Sequence, residues 1–124
     1  MARILVVDDA AFMRKLLIDI FVALGHEIIG EGASAKEALE KFNALKPDLM
    51  TMDIVMPQES DIDTLHVVRR IIEETPKAKI LMVSSLGHQS VITEMHVAGA
   101  CDFIVKPFQS EMVVKTINRI LGTG

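Results

Sequence analysis

The sequence predicts an α/β fold in which a parallel five-stranded sheet is covered by helices on both faces. Two observations carry this. Short apolar runs alternate five times with longer amphipathic segments. Several of the runs are almost continuous in Ile, Leu, Val and Met, the composition of strands buried on both sides.

The elements follow in order. Residues 3–7 form the first strand and residues 10–24 a helix whose stripe is Phe12, Leu16, Ile20 and Leu24, with Arg14, Lys15 and Asp19 off it; Gly25 ends it. Residues 27–31 are the second strand. The helix over 34–45 opens with Ser34 and Glu37, a capping-box pair, and stops before Pro47. A third strand over 48–52 and a helix over 61–74 stop before Pro76. Residues 79–83 and 90–98 are the fourth pair, closed by Gly99, and residues 100–105 and 110–121 the fifth. Short connections between strand and helix require right-handed crossovers. The pattern fits a flavodoxin-like (βα)5 three-layer sandwich with strand order 2-1-3-4-5, whose ligands bind beyond the carboxyl ends of the strands.

At 124 residues the chain has room for one domain. A hydrophobic content of 50% is too high for disorder, so a packed core is expected. The net charge of -4, with both signs well mixed, argues against nucleic-acid binding. No stretch approaches the ~20 apolar residues of a membrane span, and no basic start leads into an apolar core as in a signal peptide. A cytoplasmic monomer is therefore expected. Cys101 has no disulfide partner and is expected in the core, while His26, His66, His88 and His96 lack zinc-ligand spacing.

The chemistry lies at the strand ends. Asp8 and Asp9 follow the first strand, Asp53 the third, Ser84 and Ser85 the fourth, and Lys106 and Pro107 the fifth. Three carboxylates at one edge repel, each pair by roughly 4 kcal/mol at about 4 Å and an effective dielectric of about 20. One lysine cannot balance them. A hard dication with oxygen ligands can, and Mg²⁺ is the natural choice. Taken alone, Asp9 reads equally well as a cap of the first helix.

The opening ILVVDDAAFMR, the central PDLMTMDIVMP, LMVSS and GACDFIVKPF span nearly the whole chain. Together they resemble the receiver domains of two-component response regulators, most of all the stand-alone chemotaxis regulators of the CheY type. The resemblance implies a single receiver domain over residues 1–124 with no effector domain. It makes Asp53 the phosphoryl acceptor, and places Mg²⁺ on Asp9, Asp53 and the backbone carbonyl of Val55, with Asp8 acting through water. It also implies a phosphoryl-binding hydroxyl on Ser84, an ion-pairing Lys106, a cis bond between Lys106 and Pro107, and an aromatic switch at Phe103. The implied donor is a sensor histidine kinase. The implied output face is the fourth helix, fifth strand and fifth helix, with the flagellar motor switch as target. Such a protein is a signalling switch and no enzyme beyond its own phosphorylation and dephosphorylation.

Departures from the family pattern fall in MPQESD, where Glu59 and Asp61 replace a customary Met and Gly, and at Val55 and Leu86, apolar positions bordering the phosphoryl group. Other readings stay open. A stand-alone receiver also suits a phosphorelay or a non-chemotaxis adaptor, or a purely interactive role without phosphorylation. An aspartyl phosphatase uses similar groups, although Val55 stands where its acid/base belongs. GEGASA, residues 30–35, matches the dinucleotide fingerprint but follows the second strand instead of the first.

Overall fold

A computed structural model of the chain describes residues 1–56 and 63–122. The elements are β1 (Arg3–Val7), α1 (Ala11–Ala23), β2 (Glu27–Gly32), α2 (Ala35–Leu45), β3 (Leu49–Met52), α3 (Thr64–Glu74), β4 (Ile80–Ser84), α4 (Gln89–Ala98), β5 (Asp102–Val105) and α5 (Ser110–Leu121). The strands are all parallel in the order β2-β1-β3-β4-β5, as the alternation predicts. No helix of the described residues is long and apolar enough to cross a membrane.

Alternation along each strand divides the core into two layers. Leu5, Val7, Met50, Met52, Ile80 and Met82 face α2 and α3. Ile4, Val6, Leu49, Leu81, Val83 and Ile104 face Leu17 and Phe21 of α1 and Val113 and Ile117 of α5. Because both faces are covered, the central strands β1, β3 and β4 carry no exposed side chain.

The helix boundaries show what sets them. Ser34 caps α2, its Oγ accepting from the Glu37 N–H at 3.2 Å, while the Glu37 carboxylate lies 3.6 Å from Lys41 Nζ along the helix. The third helix begins later than residue 61, with Asp63 as its cap accepting from the His66 N–H at 2.8 Å; Glu59 and Asp61 lie outside the described residues. Gly99 ends α4 at φ 119°, and a Cβ there would come within 2.6 Å of Ile72, so both conformation and contact demand glycine.

Two expectations are corrected and one alternative falls. The buried residues of α1 are Leu17 and Phe21; of the expected stripe, Ile20 and Leu24 pack at the margin beside Met13 and Ile18, while Phe12 is 78% exposed. Apolar residues fill two adjacent stripes of this helix, so its sequence periodicity leaves the buried face open and the sheet selects it. Asp9 does not cap α1, whose N-cap is Ala10 with no side-chain bond. Cys101 is exposed, because β5 begins one residue later and Ala100, its neighbour in the connection, takes the inward position. The residue as a whole is exposed but its thiol is partly buried: Sγ donates to the Ile80 carbonyl at 3.2 Å, and this burial pushes its pKa up.

One polar atom sits badly in this core. Thr51, in the middle of β3 between Val6 and Leu81, is fully buried, and its hydroxyl has no partner among the described residues. A buried hydroxyl without a hydrogen bond is a net cost. Thr51→Val keeps the shape and is expected to stabilise the protein by about 1 kcal/mol. Urea unfolding followed by far-UV circular dichroism, suited to a chain without Trp or Tyr, checks this.

Candidate functional site

Parallel strands bring their carboxyl ends to one edge, and the register there sets which residues meet. Val7 pairs with Met52, so Asp8 and Asp53 leave the sheet side by side. The ladder continues one step beyond the strands: the Asp8 N–H donates to the Gly32 carbonyl at 3.0 Å and the Asp53 N–H to the Val7 carbonyl at 3.2 Å. On the other side Ser84 pairs with Val105, and the Lys106 N–H donates to the Ser84 carbonyl at 2.9 Å. The Lys106–Pro107 peptide bond is cis.

The side chains of the outer elements converge. Lys106 Nζ donates to Asp8 Oδ2 at 2.7 Å and to Asp53 Oδ2 at 2.9 Å, joining β5 to β1 and β3. Carboxylate oxygens of Asp8, Asp9 and Asp53 lie within 4.8 Å of one another. Asp8 is 1% and Asp53 7% exposed, whereas Asp9 is exposed, so the cluster opens to solvent on the Asp9 side. Asp53 Oδ1 accepts from the Ile54 N–H at 2.6 Å, which orients the carboxylate. Thr64 Oγ at the start of α3 donates to the Ile54 carbonyl at 2.8 Å and links α3 to the residue after Asp53.

Electrostatics explains why this group is unsatisfied as it stands. Burial pushes the Asp8 carboxyl above its usual range, against the opposing hydrogen bonds from Lys106 and the Ala10 N–H. Burial alone would lower the Lys106 ammonium, but its hydrogen bonds to Asp8 and Asp53 prevail and leave it above its usual range. At 4.8 Å two carboxylates repel by about 3 to 4 kcal/mol at an effective dielectric of about 20. One ammonium among three carboxylates leaves two negative charges. The oxygen donors, the residual charge and the solvent-facing Asp9, whose carboxylate has no partner among the described residues, fit a hard divalent cation.

The remaining predicted residues lie around this centre. Ser84 ends β4 fully buried, with its Oγ accepting from the Leu86 N–H at 3.3 Å. Phe103, in β5 beside Met82, is half-buried against the layer formed by α2 and α3. Val55 is 57% exposed two residues after Asp53, and Leu86 is half-buried. Gly30 and Gly32 of the GEGASA run belong to β2 itself, where a Cβ on Gly30 would meet Leu45 at 2.9 Å. That glycine makes room for α2, and the fingerprint's loop is missing. Arg14 is a residue that sequence reasoning overlooked. Assigned only to the polar side of its helix, it donates through Nη1 to the Asp8 carbonyl at 2.6 Å and through Nε to Glu31 at 2.9 Å.

Residues 4–118 match the response regulator receiver domain family. The chain belongs to that family. It is 48% identical over 118 residues to the chemotaxis protein CheY of Thermotoga maritima, covering 95% of this chain and 96% of that one. Against CheY of Bacillus subtilis the identity is 45% over 120 residues, covering 97% and 98%. Among solved structures, a CheX–CheY–BeF3–Mg²⁺ complex from Borrelia burgdorferi superposes with a TM-score of 0.89 at 31% identity, over 96% of this chain and 88% of that chain. The chain is thus a CheY-type receiver, a phosphoaccepting signalling domain rather than a classical enzyme.

If burial and mutual repulsion strain the acidic pocket, neutralising one member relieves it. The folded-state pKa of Asp8 is raised, so its ionised form is disfavoured by folding and costs stability at neutral pH. Asp8→Asn is expected to gain on the order of 1 kcal/mol in metal-free buffer at pH 7. The gain should shrink as the pH falls through the folded pKa of Asp8 and be gone below its ordinary unfolded value, where the carboxyl is protonated in both states. Urea unfolding of both proteins at several pH values measures it.

Proposed function

We propose that this receiver works as a Mg²⁺-dependent switch phosphorylated on Asp53 by a sensor histidine kinase, in a chemotaxis pathway. The observation that supports it best is Lys106 bridging Asp8 and Asp53 inside a three-carboxylate cluster. Asp9, Asp53 and the Val55 backbone carbonyl would hold the metal, with Asp8 acting through water. Bound Mg²⁺ supplies charge neutralisation for the carboxylates and for the oxygens of the transferred phosphoryl group.

The chain's own residues do the rest. A carboxylate oxygen of Asp53 forms the new bond to phosphorus as the P–N bond of a phosphorylated imidazole breaks. The imidazole leaves with that electron pair and takes up a proton from solvent. Lys106, already 2.9 Å from Asp53 Oδ2, stays close enough to pair with a phosphoryl oxygen. The Ser84 hydroxyl turns towards that group, and Phe103 follows into the space it leaves. The coupling is a population shift, driven only by the difference in how the phosphoryl group interacts with the two arrangements.

The output face in this scheme is α4, β5 and α5. Its exposed Val97, Val105 and Met112 offer apolar contact to a partner such as the flagellar motor switch. Residues 4–118 act as the receiver, in the cytoplasm and as a monomer. A phosphorelay or a different adaptor role would use the same chemistry with another target.

Two measurements test this function. Acetyl phosphate with Mg²⁺ should add one phosphoryl group to the wild type by intact-protein mass spectrometry and none to Asp53→Ala. Labelling that persists in Asp53→Ala, or without divalent cation, would refute the assignment. Phosphoryl loss should be slow, because neither Val55 nor Leu86 can hydrogen-bond an attacking water. Val55→Asn and Leu86→Glu are expected to speed decay by up to ~10-fold, about 1.4 kcal/mol off the barrier. Equal or slower decay in both variants would sink that part.

A further inference from the structure

We infer that Arg14 is a positioning residue for the acidic pocket: it clamps the Asp8–Asp9 peptide and thereby sets where the Asp9 carboxylate stands. The inference rests on the metal-binding role proposed for that pocket and adds a residue to it.

The Asp8 carbonyl lies where the sheet stops supplying partners. The Asp8 N–H still pairs with the Gly32 carbonyl at 3.0 Å. The carbonyl of the same residue belongs to the loop, and a half-buried backbone acceptor there needs a donor. Arg14 provides one at 2.6 Å, a charge-assisted contact. Its Nε is held in turn by Glu31 of β2 at 2.9 Å. Glu31 is fixed through its own carbonyl, which accepts from Lys41 of α2. The fork of a guanidinium joins two elements in a way that the point charge of a lysine does not.

The two acids differ in what holds them. Asp8 is tied by Ala10 N–H and by Lys106, so it can keep its place unaided. The Asp9 carboxylate has no such tie among the described residues, and α1 lacks a side-chain cap that would stiffen the loop. Fixing the peptide that joins Asp8 to Asp9 is therefore the route by which Asp9 is aimed. As a surface ion pair, Arg14 with Glu31 would contribute at most about 1 kcal/mol to stability and nothing to metal affinity. As a nearby positive charge alone, it would weaken cation binding. Positioning alone makes the cation bind better because Arg14 is present.

That difference in sign makes the test decisive. Mg²⁺ affinity is measured by calorimetric or NMR titration on wild type, Arg14→Ala, Arg14→Lys and Glu31→Gln, beside urea unfolding of each in EDTA. Positioning predicts about 10-fold weaker Mg²⁺ binding in Arg14→Ala, the scale seen when an outer partner of a metal ligand is lost. Arg14→Lys should recover part of the affinity, and Glu31→Gln, the control for losing one nearby charge with Arg14 in place, should weaken binding less than Arg14→Ala. Wild-type binding together with equal or tighter binding by Arg14→Ala overturns the inference alone. Failure of the wild type to bind Mg²⁺ at all overturns the metal role and this inference with it.

Discussion

Mutual repulsion among Asp8, Asp9 and Asp53 is the constraint to which the rest of the structure answers. Their oxygens lie within 4.8 Å of each other, two of the three residues are almost fully buried, and a single ammonium stands among them. Left in water these groups would separate. They stay together because each is the continuation of a strand that is committed elsewhere, by pairing with its neighbours and by the apolar layers on either side. Folding energy gathered in the core thus holds a locally unfavourable arrangement at the edge.

The same arrangement links strands that are far apart in the sheet. Lys106 connects the outer strand β5 to the two central strands β1 and β3 through its bonds to Asp8 and Asp53. Ser84 ends β4, the strand between Asp53 and β5, and Phe103 lies on β5, part of the face formed by α4, β5 and α5. At the opposite end of the cluster, Arg14 carries the connection from the Asp8 carbonyl to Glu31 of β2. Side chains therefore extend the pocket laterally over the whole width of the sheet.

Much of this was legible in the residues. The near-continuous apolar runs and the helix stops at Gly25, Pro47, Pro76 and Gly99 mark the alternation. Once the strands are parallel, Asp8, Asp53, Ser84 and Lys106 must share an edge. Other features were illegible for particular reasons. In α1, apolar side chains occur at Phe12 and Leu16 as well as at Met13 and Leu17, and only the sheet's position distinguishes the two stripes. Cys101 reads as core because its neighbours are apolar, yet the start of β5 decides which side of the chain it takes. Arg14 carries no motif; its partner is a backbone carbonyl, which every residue has.

By itself, then, the sequence determined the order and type of the elements and the chemical character of each strand end. These follow from periodicity and composition, properties of neighbouring residues along the chain. The tertiary structure alone decided which face of α1 is buried, that Lys106 reaches Asp8 as well as Asp53, and that Arg14 turns inward to the Asp8 carbonyl. Those outcomes depend on distances between residues far apart in the chain, which are set by strand register and helix packing.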